Sequence, residues 1–436
     1  MNSKTLFLLV LGGFSFFSCK KQLLVSASNN DKIAAYLASD STFRNHLFSV
    51  TLYDPKAEKF IYEKDADKYF VPASNTKTYT LYAALKTMGD SIPGLKVLEQ
   101  NDTLYCKATG DPSFLHPDLP QSIVFEYLKN HRAKTLAFYF DEFENQRLGS
   151  GWAWDDYNDD YQVERSAFPV YGNILRVKSA AYQSNINIPE FKNSFAFRSG
   201  NYDYLKRDIN ENVFYYTEKL KPDFRQDIPL KISDALTIKL LADTLKKNVV
   251  LTSKTDFSEA KTVFSMPIDT VLRRMMQVSD NMLAEQMMLM AGGQLTDTLS
   301  TTKAISRITG KLLSDLPDKP LLVDGSGLSR YNLVTGRDNV KLLDKLLSEF
   351  PQERLFGLMA IGGKTGTLKR YFASTEPPYV FAKTGSMSGV YNISGYVKTL
   401  SGRVLIFSVM NNNFTHSVSK VGLASANLIK YIHGNF

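Results

Sequence analysis

Cysteine is almost absent: Cys19 and Cys106 are the two in 436 residues. So small a number excludes a disulfide framework, and none can form inside the chain if Cys19 is otherwise engaged. Histidine is scarce too. His46, His116, His131, His416 and His433 lie scattered, without metal-ligand spacing. Neither a metal centre nor Ser-His-Asp chemistry finds support in them. No dense run of Lys and Arg occurs, although the net charge is +8. That removes the usual footprint of nucleic-acid binding. A basic face would instead suit an anionic cell-wall or membrane surface. Internal repeats and low-complexity stretches are missing. With 44% hydrophobic and 22% charged residues, the composition is that of a globular protein. The length predicts two or three domains.

The one apolar run near the start, Leu6 to Phe17, is too short for a comfortable membrane span. It follows Met1-Asn2-Ser3-Lys4 and leads to Ser18-Cys19. A charged start, a short apolar core and a small residue before cysteine read as an export signal. The pattern resembles a bacterial lipoprotein signal, with Cys19 as the lipidated first residue of the mature chain. Phe16-Phe17-Ser18 departs from the usual Leu-Ala-Gly type, so the alternative is a plain secretory peptide cut nearby.

What the chain does contain is three short motifs in order: Ser74-Asn75-Thr76-Lys77, Ser279-Asp280-Asn281 and Lys383-Thr384-Gly385. S-x-x-K alone is weak, since it begins at Ser18, Ser74, Ser258, Ser300 and Ser417. Context separates them. Ser74 follows Val71-Pro72-Ala73 and opens a run ending at Met88-Gly89, with Leu81, Leu85 and Met88 at helical spacing. A serine there exposes its hydroxyl at a helix mouth, and Lys77 falls on the same face. The plainer reading is a helix cap followed by a surface lysine. The Ser258, Ser300 and Ser417 copies lack the Pro-Ala entry and are expected to cap or flank helices. Ser279-Asp280-Asn281 reads as a turn between two helices, ordinary or cleft-facing. Lys-Thr-Gly occurs at Lys364 and Lys383. The second copy follows Tyr379-Val380-Phe381-Ala382, a strand pattern, whereas the first sits in a glycine-rich loop. The second is therefore chosen.

Strands are predicted at Phe48–Asp54, Lys59–Tyr62, Tyr391–Thr399 and Arg403–Met410, with a last helix near Ser417–His433. Both chain ends would thus build one antiparallel sheet. Roughly 200 residues separate Lys77 from Ser279, far more than one connection needs. We expect a discontinuous domain of residues 22–90 plus 262–436, with residues 91–261 inserted and the signal at 1–19.

The three motifs together form the signature of penicillin-binding proteins and class A β-lactamases. With Thr109-Gly110-Asp111-Pro112-Ser113, Gly151-Trp152-Ala153-Trp154-Asp155-Asp156, Asp324-Gly325-Ser326-Gly327-Leu328-Ser329 and Gly366-Thr367-Leu368, the chain resembles the low-molecular-mass class C penicillin-binding proteins. These are D-alanyl-D-alanine carboxypeptidases and endopeptidases. The resemblance implies an α+β fold of the penicillin-binding-protein and β-lactamase type: an antiparallel sheet flanked by helices, with a large inserted domain. The inserts here are shorter than the family's, so a reduced innermost domain is expected. Trp152 and Trp154 are themselves expected to be turn or core contacts.

The resemblance further implies acyl transfer through Ser74, with Lys77 as base if burial beside a second cation, Lys383, lowers its pKa. Ser279 would relay the proton and Asn281 would hold Lys77. The Ser74 and Ser386 amides would form the oxyanion hole, and Lys383 and Thr384, beside Gly385, would bind the substrate carboxylate. Asp156 would pair with a peptide amine or is a plain surface acid. No cofactor and no metal are implied. The partners implied are peptidoglycan peptides, β-lactams and a membrane reached through the lipid, in the periplasm, with no nucleic acid. A β-lactamase or esterase, and a non-catalytic cell-wall or β-lactam sensor, remain the competing readings.

Overall fold

A computed structural model describes residues 29–140, 143, 147–178, 185–221, 223–372 and 377–436. The lipidation expectation for Cys19 lies outside the described residues. Helix α1 (Asn29–Ser39) leads into strands β1 (Leu47–Asp54) and β2 (Lys59–Lys64), then helix α2 (Lys77–Thr87). Next come β3 (Ser91–Gln100), β4 (Thr103–Ala108), α3 (Ile123–Asn130), β5 (Thr135–Tyr139), β6 (Ile174–Lys178) and the short β7 (Phe195–Phe197), β8 (Lys206–Arg207) and β9 (Phe214–Tyr216). They are followed by β10 (Arg225–Pro229), α4 (Asp234–Leu245), β11 (Asn248–Leu251) and β12 (Lys261–Pro267). Helices α5 (Ile268–Gln277), α6 (Asn281–Thr296), α7 (Thr301–Arg307), α8 (Gly336–Glu349) and α9 (Gln352–Leu358) precede β13 (Ala360–Ile361), β14 (Val380–Met387), β15 (Val390–Lys398), β16 (Val404–Asn412) and helix α10 (Val418–Asn435).

Both ends of the chain meet in one six-stranded sheet of order β13-β14-β15-β16-β1-β2. Every pairing in it is antiparallel. Period-two alternation sends its side chains to two cores. On one face Tyr396, Ile406 and Met410 pack with the helical layer that includes Val340 and Leu343 of α8. On the other, Leu405, Phe407 and Val409 meet Val421, Leu428 and Ile432 of α10. Two-sided burial explains why β15 and β16 read as nearly unbroken apolar runs. Helix α2 has no solvent face over most of its length, because it runs through the centre of the helical layer against α6.

A second sheet, β11-β5-β4-β3-β12, is built wholly from residues between Ser91 and Pro267. Its core is aromatic, with Phe168 in tilted contact with both Phe114 and Phe138. Beside it lie the β6·β10 pair and a small three-stranded sheet, β7-β9-β8. Cys106 is free and buried on β4, and burial pushes its thiol far above the ordinary range. Among the described residues no helix is long and apolar enough to cross a membrane, and no group of acidic, histidine or cysteine side chains could hold a metal.

Three of the spare S-x-x-K serines lie among the described residues, and Ser18 lies outside them. Ser300 and Ser417 cap α7 and α10 by accepting the amides of Lys303 and Lys420. Ser258 does not fit the expectation of a helix cap. It sits in a turn between β11 and β12, its hydroxyl bonded to Asp256 at 2.7 Å.

Candidate active site

Ser74 lies in a 3-10 turn, Ala73–Thr76, that runs straight into α2. The approach to it is clamped from the central sheet. Asn412 accepts the Val71 amide at 2.8 Å, and Asn392 donates to the Val71 carbonyl at 2.9 Å. Ala73 is forced to φ +46°, a conformation that costs a non-glycine residue about 1–3 kcal/mol. Two glycines permit this crowding. A Cβ on Gly327 would stand 1.9 Å from the Ala73 carbonyl oxygen, and one on Gly385 would stand 2.5 Å from that of Pro72. The Asp-Gly-Ser-Gly-Leu loop and strand β14 therefore press directly on the turn that carries Ser74.

Lys77 is fully buried, and its ammonium points back at the serine. Nζ donates to Ser74 Oγ at 3.0 Å, to Asn281 Oδ1 at 2.6 Å and to the Ser326 carbonyl at 2.7 Å. All three acceptors are uncharged. Burial lowers its pKa to about 8, against the opposing charges of Asp324, Glu285 and Asp280. Those carboxylates are occupied elsewhere. Asp324 accepts the Gly327 and Ser329 amides and the Trp152 indole N–H. Glu285 accepts the Gly325 and Ser326 amides, and burial pushes it up to about 7. Between them they shape the loop that presents the Ser326 carbonyl to Lys77.

The turn between α5 and α6 brings in the second motif. Asp280 caps α6 by accepting the Leu283 amide at 3.1 Å. Ser279 adopts φ +67°, which swings its hydroxyl toward β14. There Lys383 Nζ donates to Ser279 Oγ at 2.9 Å and to the Thr384 carbonyl at 2.7 Å. Lys383 is also fully buried, and its pKa falls well below the lysine range through burial and then the Lys77 charge. The cation effect thus falls on Lys383, whereas Lys77 owes its shift to burial. Asn281 bridges the assembly, since its amide donates to the Tyr161 carbonyl at 2.9 Å.

These groups open on a cleft of about 720 Å³ lined by Ser74, Ser279, Asn281, Thr384 and Ser386. Asp156 lines the same cleft with Asp155 and Tyr161, and burial together with the neighbouring acids raises its pKa. The Gly385 contact sets β14 beside the Ser74 amide, since its Cβ would lie 2.9 Å from that nitrogen. Sequence reasoning missed several participants. Thr367 accepts from the Thr384 hydroxyl at 2.7 Å, and Arg330 reaches the cleft wall. Of the two alternatives expected for the tryptophans the structure shows the turn: Trp152 closes a turn on Gly149 and holds Asp324, and Trp154 opens the 3-10 turn Trp154–Asn158 and is 74% exposed. The other Lys-Thr-Gly has a separate use. Lys364 is exposed and does not line the cleft. Thr365 Oγ1 accepts the Ile361 amide, and Gly366 abuts the Gln277 carbonyl, where a Cβ would stand 2.0 Å away. That copy buttresses the end of α5.

A serine whose hydroxyl faces a buried lysine amine, with a second lysine on an adjacent antiparallel strand, defines a serine hydrolase of the penicillin-recognising class. Residues 29–211 and 218–429 match the D-Ala-D-Ala carboxypeptidase 3 (S13) family, and the chain belongs to that family. It is 27% identical to a D-alanyl-D-alanine carboxypeptidase of Actinomadura sp. strain R39, over 86% of this chain and 79% of the relative. It is 24% identical to the D-alanyl-D-alanine carboxypeptidase DacB of Haemophilus influenzae, over 82% of this chain and 83% of that one. Its fold is similar to the crystal structure of penicillin binding protein 4 from the same organism, with a TM-score of 0.74 at 19% identity, covering 93% and 99% of the two chains.

The two Lys-Thr-Gly copies give a direct comparison. Lys383→Ala is expected to cost about 2 kcal/mol or more in kcat/KM, roughly 30-fold, by loss of a charge-assisted contact. Lys364→Ala should stay near wild type. Steady-state hydrolysis of a D-Ala-D-Ala peptide measures both, and equal losses would reverse the assignment.

Proposed function

We propose that Ser74 is the nucleophile of this serine-type D-alanyl-D-alanine carboxypeptidase and that neutral Lys77 is its base. The observation that carries this is the 3.0 Å bond from Lys77 to Ser74, made by an amine whose pKa is lowered to about 8. Lys77 takes the hydroxyl proton as Ser74 Oγ attacks the carbonyl carbon between two terminal D-alanines of a peptidoglycan stem. The Ser74 and Ser386 amides hold the oxyanion, a contribution of about 3 kcal/mol per donor. Ser279 passes a proton to the departing amine as the C–N bond breaks, and D-alanine leaves. Water then cleaves the acyl ester and restores Ser74.

Lys383 and Thr384, held beside Gly385, receive the substrate's terminal carboxylate. That negative charge favours protonated Lys383, and a charged neighbour in turn favours neutral Lys77. Binding and base activation are thereby coupled. Asn281 orients Lys77, and Asp156 pairs with the free amine of a diamino acid in the stem. β-Lactams acylate the same serine. Residues 22–90 and 262–436 form the hydrolase domain, with residues 91–261 inserted. The signal at 1–19 exports the chain to the periplasm, where a lipid on Cys19 tethers it.

Fluorescent penicillin should label the wild type on the peptide carrying Ser74, and Ser74→Ala should abolish labelling. Muropeptide mass spectrometry should show loss of a single D-alanine with the wild type alone. A label that survives in the variant, or maps to Ser258 or Ser300, overturns the assignment.

Several acyl chains hold a lipoprotein firmly to a membrane, whereas one chain is marginal. The wild type should therefore stay with membranes through a high-salt wash, and Cys19→Ser should leave uncleaved precursor or soluble protein. A mature N-terminus other than lipid-modified Cys19 would contradict the tether.

A further inference from the structure

Ser279, Asp280 and Asn281 act as one unit. Ser279 Oγ accepts from Lys383 and Asn281 Oδ1 accepts from Lys77, and Asp280 is the residue between them in the chain. Asp280 is held on two sides. Oδ1 accepts the Leu283 amide, and Oδ2 accepts Nε of Arg274 at 3.1 Å. Arg274 in turn reaches out of the helical layer, donating from Nη2 to Asp118 Oδ2 at 2.8 Å. Asp118 belongs to the segment between β4 and α3, far from Asp280 in sequence. Its own backbone is fixed, because its amide donates to Nδ1 of buried His116 at 3.2 Å.

Asp118 is shared by two guanidinium groups. Arg176 on β6 grips it with two bonds of 2.7 Å, and the far side of Arg176 binds Asp227 on β10 at 2.7 and 2.6 Å. The result is an alternating chain, Asp280–Arg274–Asp118–Arg176–Asp227. Isolated exposed ion pairs contribute about 0–1 kcal/mol. This chain differs in geometry, since Arg176 holds each of its carboxylates with two bonds, Arg274 links Asp118 to Asp280 with one bond to each, and all are partly shielded. It also has a strained element to restrain, the left-handed Ser279.

We propose that Asp118 is a positioning residue for the acyl-transfer reaction, acting through Arg274 and Asp280 to hold Ser279 and Asn281 against the two lysines. The proposal rests on Ser74 and Lys77 having the roles given above. Without the Asp118 charge, Arg274 keeps Asp280 and Arg176 keeps Asp227, but the carboxylate that joins the two guanidinium groups is lost. Arg274 then loses the tether on its outer side and shifts together with Asp280, and the turn relaxes toward a less strained backbone. Ser279 and Asn281 move by a fraction of an ångström, enough to degrade proton transfer while the carboxylate-binding strand stays in place.

Two isosteric variants separate this from general weakening of the interface. Asp118→Asn and Asp227→Asn each remove one carboxylate charge from the same chain, but Asp118 alone touches Arg274. Stopped-flow acylation by fluorescent penicillin, fitted for the binding constant and the acylation rate separately, gives the readout. Asp118→Asn should slow acylation by about 10- to 100-fold, as misplacement of a reacting group does, with the binding constant within about twofold of wild type. Asp118→Glu should recover much of the rate. Asp227→Asn should acylate within about twofold of wild type. Wild-type acylation in Asp118→Asn, or equal losses in both Asn variants, overturns the proposal, as does a loss confined to the binding constant. A wild type that takes no label overturns the underlying Ser74 reading instead, and is distinguishable from all of these.

Discussion

Everything in the cleft follows from one interaction: a lysine ammonium buried among uncharged acceptors. Lys77 bonds to a hydroxyl, an amide oxygen and a backbone carbonyl, and none of its three bonds goes to a carboxylate. A directly bonded carboxylate would raise its pKa and lock the proton on. The acids around it supply only distant charge, because Asp324 and Glu285 spend their oxygens on backbone amides of residues 325–329. The fold therefore keeps the amine solvated well enough to be buried and poorly enough to give up its proton near neutral pH.

Holding such a group requires elements from distant parts of the chain. Ser74 and Lys77 come from an early turn and helix, Asn281 from the start of α6, Ser326 from a loop, and Lys383 from β14. The pieces meet through backbone contacts too close for any side chain, at Gly327 and Gly385. The conformational cost sits at Ala73 and Ser279, two non-glycine residues held in the left-handed region. Such strain persists because the surroundings over-determine it. Asparagines 392 and 412 grip the approach to Ser74, and Asp280 grips the turn that carries Ser279.

Much of this was legible in sequence, for identifiable reasons. The strands that converge from both chain ends carry strong β-branched and aromatic runs, so β1, β15 and β16 fall within about two residues of expectation. Local context also sorted the duplicate motifs, since a strand pattern before Lys383 and a glycine-rich loop at Lys364 imply different exposure. What sequence could not supply was the partner of each buried polar group. Nothing near Glu285 marks it as an acceptor for two amides 40 residues away, and nothing near Asn392 links it to Val71. Trp152 reads in sequence as a turn or core contact, and its indole N–H bond is hidden because the partner, Asp324, lies 172 residues on. The direction of the lysine–lysine effect was equally hidden, as it depends on which amine the carboxylates face.

The pH dependence of acylation tests the central claim most directly. In the proposed mechanism only unprotonated Lys77 takes the Ser74 proton, so the active fraction rises with pH until the amine is neutral. With a pKa lowered to about 8, the second-order rate of acylation by a β-lactam should climb about tenfold per pH unit below that value and level off above it. A limb that climbs to an ordinary lysine value near ~10.4, or a rate independent of pH between roughly 6 and 10, would contradict the account.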